Sequence, residues 1–224
     1  MPVNKIKYAE IKNELAEQSG DLVAVSKIRT AGDILEFYDD GQKDFGENYV
    51  QELVDKQLQL PTDIRWHFIG HLQSNKVKQI APFVHLIHGV DSLKLLKEIS
   101  KQGAKIKRVV HCLLQIHIAE EQSKFGFNEE ELLNTIAEIK NKPMEFAYVF
   151  VDGLMGMATF TDEEEKVRGE FKYLKYLFDK YKEVPTENCH FSILSMGMSD
   201  DYKWAMEEGS TMVRIGSLLF GRRA

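Results

Sequence analysis

Eight short strand candidates recur along the chain: Leu22 to Ser26, Lys43 to Gly46, Arg65 to Ile69, Val84 to Gly89, Arg108 to Ile116, Phe146 to Val151, His190 to Leu194 and Thr211 to Ile215. Several are continuous rather than alternating in polarity, which is how parallel strands covered on both faces read. Helical spacing fills the intervals. Thr30 with Asp33 predicts a helix start and Gly41 its stop, Asp91 a start and Gly103 a stop, and Asn128 with Glu131 has capping-box spacing ahead of Leu132, Leu133, Ile136 and Ile139. Thr161 with Glu164 opens a longer helix carrying Val167, Phe171, Leu174, Phe178 and Tyr181, and a short one runs from Ser199 through Tyr202 and Met206 to Gly209. Residues 1–19 read as an amphipathic helix with Tyr8, Ile11 and Leu15 on one face.

Eight alternations without a Pro/Gly/Ser-rich linker predict one α/β domain over residues 1–224. The expected architecture is a (β/α)8 TIM barrel with an extra N-terminal helix packed on it, a doubly wound sheet being the alternative. In a barrel, chemistry sits at the C-terminal strand ends. Those ends carry Lys27, Glu47-Asn48, Gly70-His71, Asp91, Gln115, Gly153, the Ser195 to Ser199 loop and Arg214 through Ser217.

Lys27 is the sharpest of these. A lysine at a barrel mouth loses its proton more readily, because low dielectric and nearby positive charge disfavour the ammonium form, and a neutral amine condenses with aldehydes. A phosphate-binding or salt-bridged lysine is the alternative reading. Phosphate sites in barrels commonly use the loops after strands seven and eight. Here those loops offer Gly197 and Ser199, the latter also an N-cap candidate, and Gly216 with Ser217. Arg214 points inward if Gly216 marks the rim; it then either faces the ring of a phosphorylated cofactor or pairs internally with Asp152 or Glu47.

Composition narrows the classes. With 43% apolar residues and a formal charge of -6, the chain lacks the basic stripe of a nucleic-acid binder, and no run reaches the length of a membrane span. Cys112 and Cys189 lie in apolar segments, so neither a disulfide framework nor a Cys-rich zinc site is expected, and the expected compartment is the reducing cytoplasm. No metal is expected either: His67 and His71 fall on different elements, and His85 and His88 on opposite faces of one strand. Asp91 reads as an N-cap. Met155, Met157, Met196 and Met198 flank glycines at the mouth, as core filling or as packing beside a flat ring.

The blocks Val23 to Lys27, Phe45 to Tyr49, Trp66 to Lys76, Lys124-Phe125-Gly126, Gly153-Leu154-Met155, Leu194 to Asp200 and Val213 to Gly216, in this order and at these intervals, closely resemble the pyridoxal phosphate homeostasis protein family. That resemblance spans nearly the whole chain. It implies an alanine racemase N-terminal type barrel of pyridoxal phosphate fold type III and a Schiff base from Lys27 to C4′ of pyridoxal 5′-phosphate. It implies phosphate-binding roles for Ser199, Gly216 and Ser217, Arg214 at the pyridine nitrogen, and Asn48 in the cofactor pocket.

The implied function is intracellular vitamin B6 homeostasis in the cytoplasm by a monomer that holds the cofactor as an internal aldimine, without an established turnover. Its implied partners are B6 vitamers and, as an extension, recipient apo-enzymes; a weak amino-acid racemase or lyase activity is the alternative. A racemase of the similar type looks like a barrel plus a C-terminal β domain that brings a second base, whereas this chain ends at Ala224 just after the eighth strand, which favours a carrier. Gln115-Ile116-His117 and His88-Gly89-Val90-Asp91 depart from the family's usual Gln-x-Asn and His-Ser-Val-Asp.

Overall fold

The computed structural model describes residues 3–120, 125–183 and 186–221. All eight expected strands form there as one closed parallel barrel in sequence order. They are β1 Asp21–Val25, β2 Asp44–Glu47, β3 Arg65–Phe68, β4 Leu86–Val90, β5 Val110–Ile116, β6 Val149–Gly156, β7 Cys189–Ser195 and β8 Met212–Ile215. The helices are α1 Lys5–Glu17, α2 Ala31–Asp39, α3 Val50–Gln59, α4 Val77–Ile80, α5 Leu93–Ile106, α6 Glu129–Asn141, α7 Glu164–Lys182, α8 Tyr202–Glu207 and α9 Ser217–Phe220. Pairing of β1 with β8 from Asp21↔Met212 to Ala24↔Ile215 closes the ring and removes the doubly wound alternative.

Two sets of apolar side chains divide the strands by parity. Leu22, Ala24 and Phe45 face outward into the shell with Ile34, Phe37 and Phe220. Val23, Leu86, Leu113, Met155 and Met212 form a separate cluster that fills the lumen. Because side chains alternate along a strand, the inward row of β1 runs Val23, Val25 and that of β8 runs Met212, Arg214, with Lys27 in the turn just past β1 and Gly216 just past β8. Parity thus carries the arginine, and the strand end the lysine, to the same end of the lumen. No helix among the described residues is long and apolar enough to cross a membrane.

The helix starts at Thr30 with Asp33 and Asn128 with Glu131 are complete capping boxes, and α1 buries Tyr8, Ile11 and Leu15. Other boundaries move. Ser92, not Asp91, caps α5, its Oγ accepting from Leu95 N–H at 3.3 Å. That helix runs past Gly103, which is there for close packing: a Cβ would meet Tyr148 O at 2.6 Å. The helix expected from Thr161 begins at Glu164, and Ser199 is not the cap of α8, which Asp201 precedes. Strand β6 does not stop at Val151 but continues to Gly156, so Gly153 lies within it rather than at the rim.

Gly153 sits where the register shifts on both flanks of β6. Its φ is +154° and a Cβ there would lie 1.9 Å from Ile193 O, a clash with backbone that no rotamer relieves. Gly153→Ala is expected to cost about 3 kcal/mol or more, from strain plus a distorted β6–β7 ladder, measured by urea unfolding.

Candidate functional site

A cavity of about 400 Å³ opens at the C-terminal end of the lumen. Lys27, Asn48, Ser199, Arg214, Gly216 and Ser217 all line it, with Val25, Ile69, Met157 and Met198 as apolar walls. These six residues therefore reach the same space, while Gly197, offered with them, shapes the seventh loop without lining the cavity. Of the four methionines, Met155 instead fills the lumen and Met196 the outer shell. A larger hollow of about 610 Å³ lies elsewhere, open on the flank of α5 between Leu93 and Tyr148, away from the strand ends.

Lys27 occupies a tight turn after β1, closed by the Arg29 N–H to Ser26 O bond at 3.0 Å. Ile28 is left-handed at φ +61°, a costly conformation for a β-branched residue, and Glu52 Oε1 holds it by accepting its N–H at 2.5 Å. Beneath the turn lies a buried ionic knot. Lys56 Nζ donates to Ser26 O at 2.7 Å, Glu47 Oε1 at 2.7 Å and Glu52 Oε1 at 2.6 Å, and Ser26 Oγ donates to Glu47 Oε1 at 2.6 Å. Glu47, taken from sequence as a rim residue, is thus a support for the turn that presents Lys27. Burial pushes its carboxyl up against the opposing pull of Lys56.

The seventh and eighth loops are tied together, for Gly216 N–H donates to Ser199 Oγ at 3.2 Å. Gly197 turns the first of these loops at φ +94°, with a would-be Cβ 2.5 Å from Ala205 Cβ, and Asp201 Oδ1 fastens it by accepting Met198 N–H at 2.6 Å. The hydroxyls of Ser199 and Ser217 and the amides around Gly216 so converge on one edge of the cavity, an arrangement suited to an anion.

Arg214 pairs with neither Asp152 nor Glu47, because those carboxylates are committed to His111 and Lys56. Its Nη1 donates to Ser195 O at 2.9 Å and Ser195 Oγ at 2.6 Å, and its Nη2 to Gly156 O at 3.0 Å. Burial pushes the guanidinium down to about 10, with Asp201 pulling the other way; it stays charged at neutral pH. Asn48 Oδ1 is buried without a hydrogen-bond partner, the unsatisfied acceptor expected of a wall that meets a ligand donor. Amine, anion cradle, fixed cation and orphaned amide oxygen together fit a phosphorylated aromatic aldehyde.

Sequence reasoning missed Arg29. It also lines the cavity, its Nη2 donating to Gly221 O at 2.5 Å, and its place two residues beyond Lys27 was the available signal. His71 stays outside the cavity, paired with Asp91 at 3.0 Å and stacked on Phe125 at 4.3 Å; Asp91 is accordingly its partner and not a cap. Lys124, quoted above with Phe125, lies outside the described residues. Gln115 donates to Phe125 O at 2.8 Å, holding the fifth loop.

At the opposite, N-terminal end of the lumen, His67 stands between His85 and His88, with ring centroids at 5.3 and 5.2 Å. The expected opposite facing of His85 and His88 fails because His85 precedes β4 and escapes its alternation. Asp44, His67 and His85 bring ligand-type atoms within 4.8 Å of one another, yet Arg65 spans both oxygens of Asp44. A guanidinium seated on the carboxylate makes this an ion-pair cluster. Burial alone would raise the Asp44 carboxyl, but the bonds from Arg65 and His67 outweigh it and hold the group well below the carboxylate range. Such a group stabilises the fold above about pH 4 and loses that contribution as pH falls toward its depressed value. Asp44→Asn should flatten the acid limb of the stability curve, read by urea unfolding at stepped pH.

The fold and cavity define a barrel protein that offers a lysine amine opposite an anion cradle. Residues 5–224 match the family model described as alanine racemase, N-terminal domain. A pyridoxal phosphate homeostasis protein of Pasteurella multocida is 37% identical over 223 residues, covering 97% of this chain and 93% of that one. One from Aquifex aeolicus is 40% identical over 208 residues, covering 92% and 89%. PipY of Synechococcus elongatus, solved with PLP bound, superposes with a TM-score of 0.84 at 32% identity over 96% of this chain and 98% of that one. An alanine racemase of Clostridium difficile, 17% identical with a TM-score of 0.76 over 59% of its length, shares the fold alone. The chain belongs to the alanine racemase N-terminal domain family and, within it, to the pyridoxal phosphate homeostasis proteins.

Proposed function

We propose that the chain holds pyridoxal 5′-phosphate for vitamin B6 homeostasis, with Lys27 as the amine that takes the aldehyde. The observation that carries this reading is the convergence of Lys27, Arg214, Asn48 and the tied Ser199–Gly216 loops on one cavity. The relatives' shared name and the PLP-bound PipY support the same ligand. When bound, the cofactor supplies a reactive aldehyde on an electron-withdrawing ring.

The protein's own part is to grip and orient. The Ser199 and Ser217 hydroxyls take the phosphate by donation beside Gly216, whose N–H ties the two loops through Ser199 Oγ, and Asn48 accepts from the ring's edge. Arg214 faces the ring nitrogen. An arginine donates a hydrogen bond but does not give up its proton there, so the ring's electron sink stays undeveloped and storage is favoured over turnover. Ile69, Met157 and Met198 exclude water from the ring faces. In this reading a monomer in the cytoplasm limits free aldehyde, and delivery to recipient apo-enzymes follows by release or handover.

The test is an absorbance spectrum of the protein with pyridoxal 5′-phosphate, then borohydride reduction and peptide mapping. The reduced adduct is expected on Lys27; an adduct confined to another lysine overturns the assignment. A racemase or lyase reading needs loss of a substrate α-hydrogen. Deuterium incorporation from heavy water, across an amino-acid panel, no faster than with free cofactor removes that reading.

A further inference from the structure

A continuous line of buried polar groups crosses the lumen from the cofactor-side cavity to its base. Arg214 Nη1 donates to Ser195 Oγ at 2.6 Å, Ser195 Oγ meets His88 Nδ1 at 3.0 Å, His88 Nε2 meets His67 Nδ1 at 2.9 Å, and His67 Nε2 meets Asp44 Oδ1 at 3.0 Å. Ser195, His88 and His67 are each 1% exposed or less. Core polar groups are costly unless fully paired, and here they replace apolar filling beside Val23, Leu113 and Met155. Arg214 opens into the cofactor-side cavity and Asp44 into a basal one of about 430 Å³.

The two ends dictate the order of hydrogens between them. A guanidinium can only donate and a carboxylate only accept. With both imidazoles neutral, one arrangement satisfies every link: the Ser195 hydroxyl donates to His88 Nδ1, His88 Nε2–H to His67 Nδ1, and His67 Nε2–H to Asp44. If His67 becomes charged it carries hydrogens on both nitrogens. His88 Nε2 must then accept, so His88 bears its hydrogen on Nδ1 and donates to Ser195 Oγ, where Arg214 already donates. His88 itself does not take the charge, since burial, with His67 and Arg214 nearby, holds it well below the histidine range.

We propose that Ser195, His88 and His67 form a hydrogen-bond relay that positions Arg214 according to the charge at the base of the barrel. His88 and Ser195 are thus positioning residues for the group that faces the ring nitrogen, a consequence that rests on the cofactor reading above. The charge at the base is set by Asp21 on β1, Asp44 on β2, Arg65 and His67 on β3, His85 ahead of β4, His111 on β5 and Asp152 on β6; at the upper end Asp201 acts on Arg214. Seen from the cofactor, the relay is an input from the far face of the protein.

The test begins on the full chain without cofactor, labelled with 15N in histidine and arginine. Above about pH 8, NMR is expected to find His88 protonated on Nε2 alone, with coupling through its hydrogen bond to His67 Nδ1. In any state where His67 carries hydrogens on both nitrogens, the His88 hydrogen is expected on Nδ1, so the two changes appear together as pH is stepped down. Histidines that titrate independently, or His88 with Nδ1–H at high pH, overturn the relay. Ser195→Ala removes one link without adding bulk and should speed solvent exchange of the Arg214 Nη hydrogens by about tenfold; unchanged exchange in a folded variant counts against it.

With pyridoxal 5′-phosphate added, Ser195→Ala and His88→Gln should shift the pH at which the bound cofactor's visible band titrates, while inorganic phosphate competes within about twofold of its strength on the unaltered chain. An unmoved titration means the relay stops short of the cavity. If no lysine-bound band forms even in the unaltered chain, the cofactor reading fails while the tautomer result still decides the relay.

Discussion

Lys27→Ala is expected to abolish the borohydride-fixed adduct and the visible band together, while a phosphate-dependent, non-covalent affinity for pyridoxal 5′-phosphate survives at least about tenfold weaker. The asymmetry follows from where the two halves of the grip are built. The phosphate side is held by the Gly216 N–H to Ser199 Oγ bond at 3.2 Å and the Gly197 turn, both made within the seventh and eighth loops. The amine is presented by the turn after β1 and contributes the covalent bond alone. Equilibrium dialysis against pyridoxal 5′-phosphate and against pyridoxine 5′-phosphate, which has no aldehyde, separates the halves. The unaltered chain should prefer the aldehyde, and the variant should bind both alike. A variant that still prefers the aldehyde and fixes it on another lysine would remove Lys27 from its proposed role.

The second large effect is on stability. Lys56→Met strips the cation from a knot whose Glu47 side chain is wholly buried and whose Lys56 side chain is only 8% exposed. Removing one partner leaves an uncompensated buried charge, and breaking such a pair costs about 3 to 5 kcal/mol, measured as the drop in unfolding free energy in urea. Burial already raises the Glu47 carboxyl, and without Lys56 it rises further. A carboxyl raised in the folded state favours folding at low pH and loses that advantage as pH climbs through its folded value. The deficit of Lys56→Met should therefore be smallest in mild acid and grow above neutrality. Adding Glu47→Gln should recover part of it, since the residual cost is then an imperfectly paired amide rather than a charge. Because Lys56 and Glu52 also hold the turn through Ser26 O and Ile28 N–H, the single variant should fix cofactor on Lys27 more slowly than the unaltered chain.

Most of the fold was readable because its signals are local. Short strand-like segments, several of them continuously apolar, marked all eight strands, and the Thr30 and Asn128 boxes marked helix starts through bonds spanning three residues. Asp91, Thr161 and Ser199 were misread as caps for one reason. Each is a good capping residue by type, but a tertiary partner or a neighbouring residue decided the boundary. His71 claims Asp91, Ser199 Oγ takes the Gly216 amide, and Thr161 Oγ1 accepts from Glu163 N–H ahead of the helix. Gly153 was misplaced because a bulge is set by the strands on either side and leaves no periodic trace.

The sequence by itself determined the strand count, the strand ends that bring Lys27 and the inward Arg214 to one end of the lumen, and the glycine-serine loops, because side-chain alternation and turn chemistry act between near neighbours. Only the tertiary structure decided what each charge does once there. Arg214 could have met Asp152 or Glu47 as far as composition goes; closure of the barrel gave Asp152 to His111, Glu47 to Lys56, and Arg214 to Ser195. Partner choice among these charges depends on which groups stand at the same level of neighbouring elements, and that is fixed only once the strands have paired in register and the helices have packed on them.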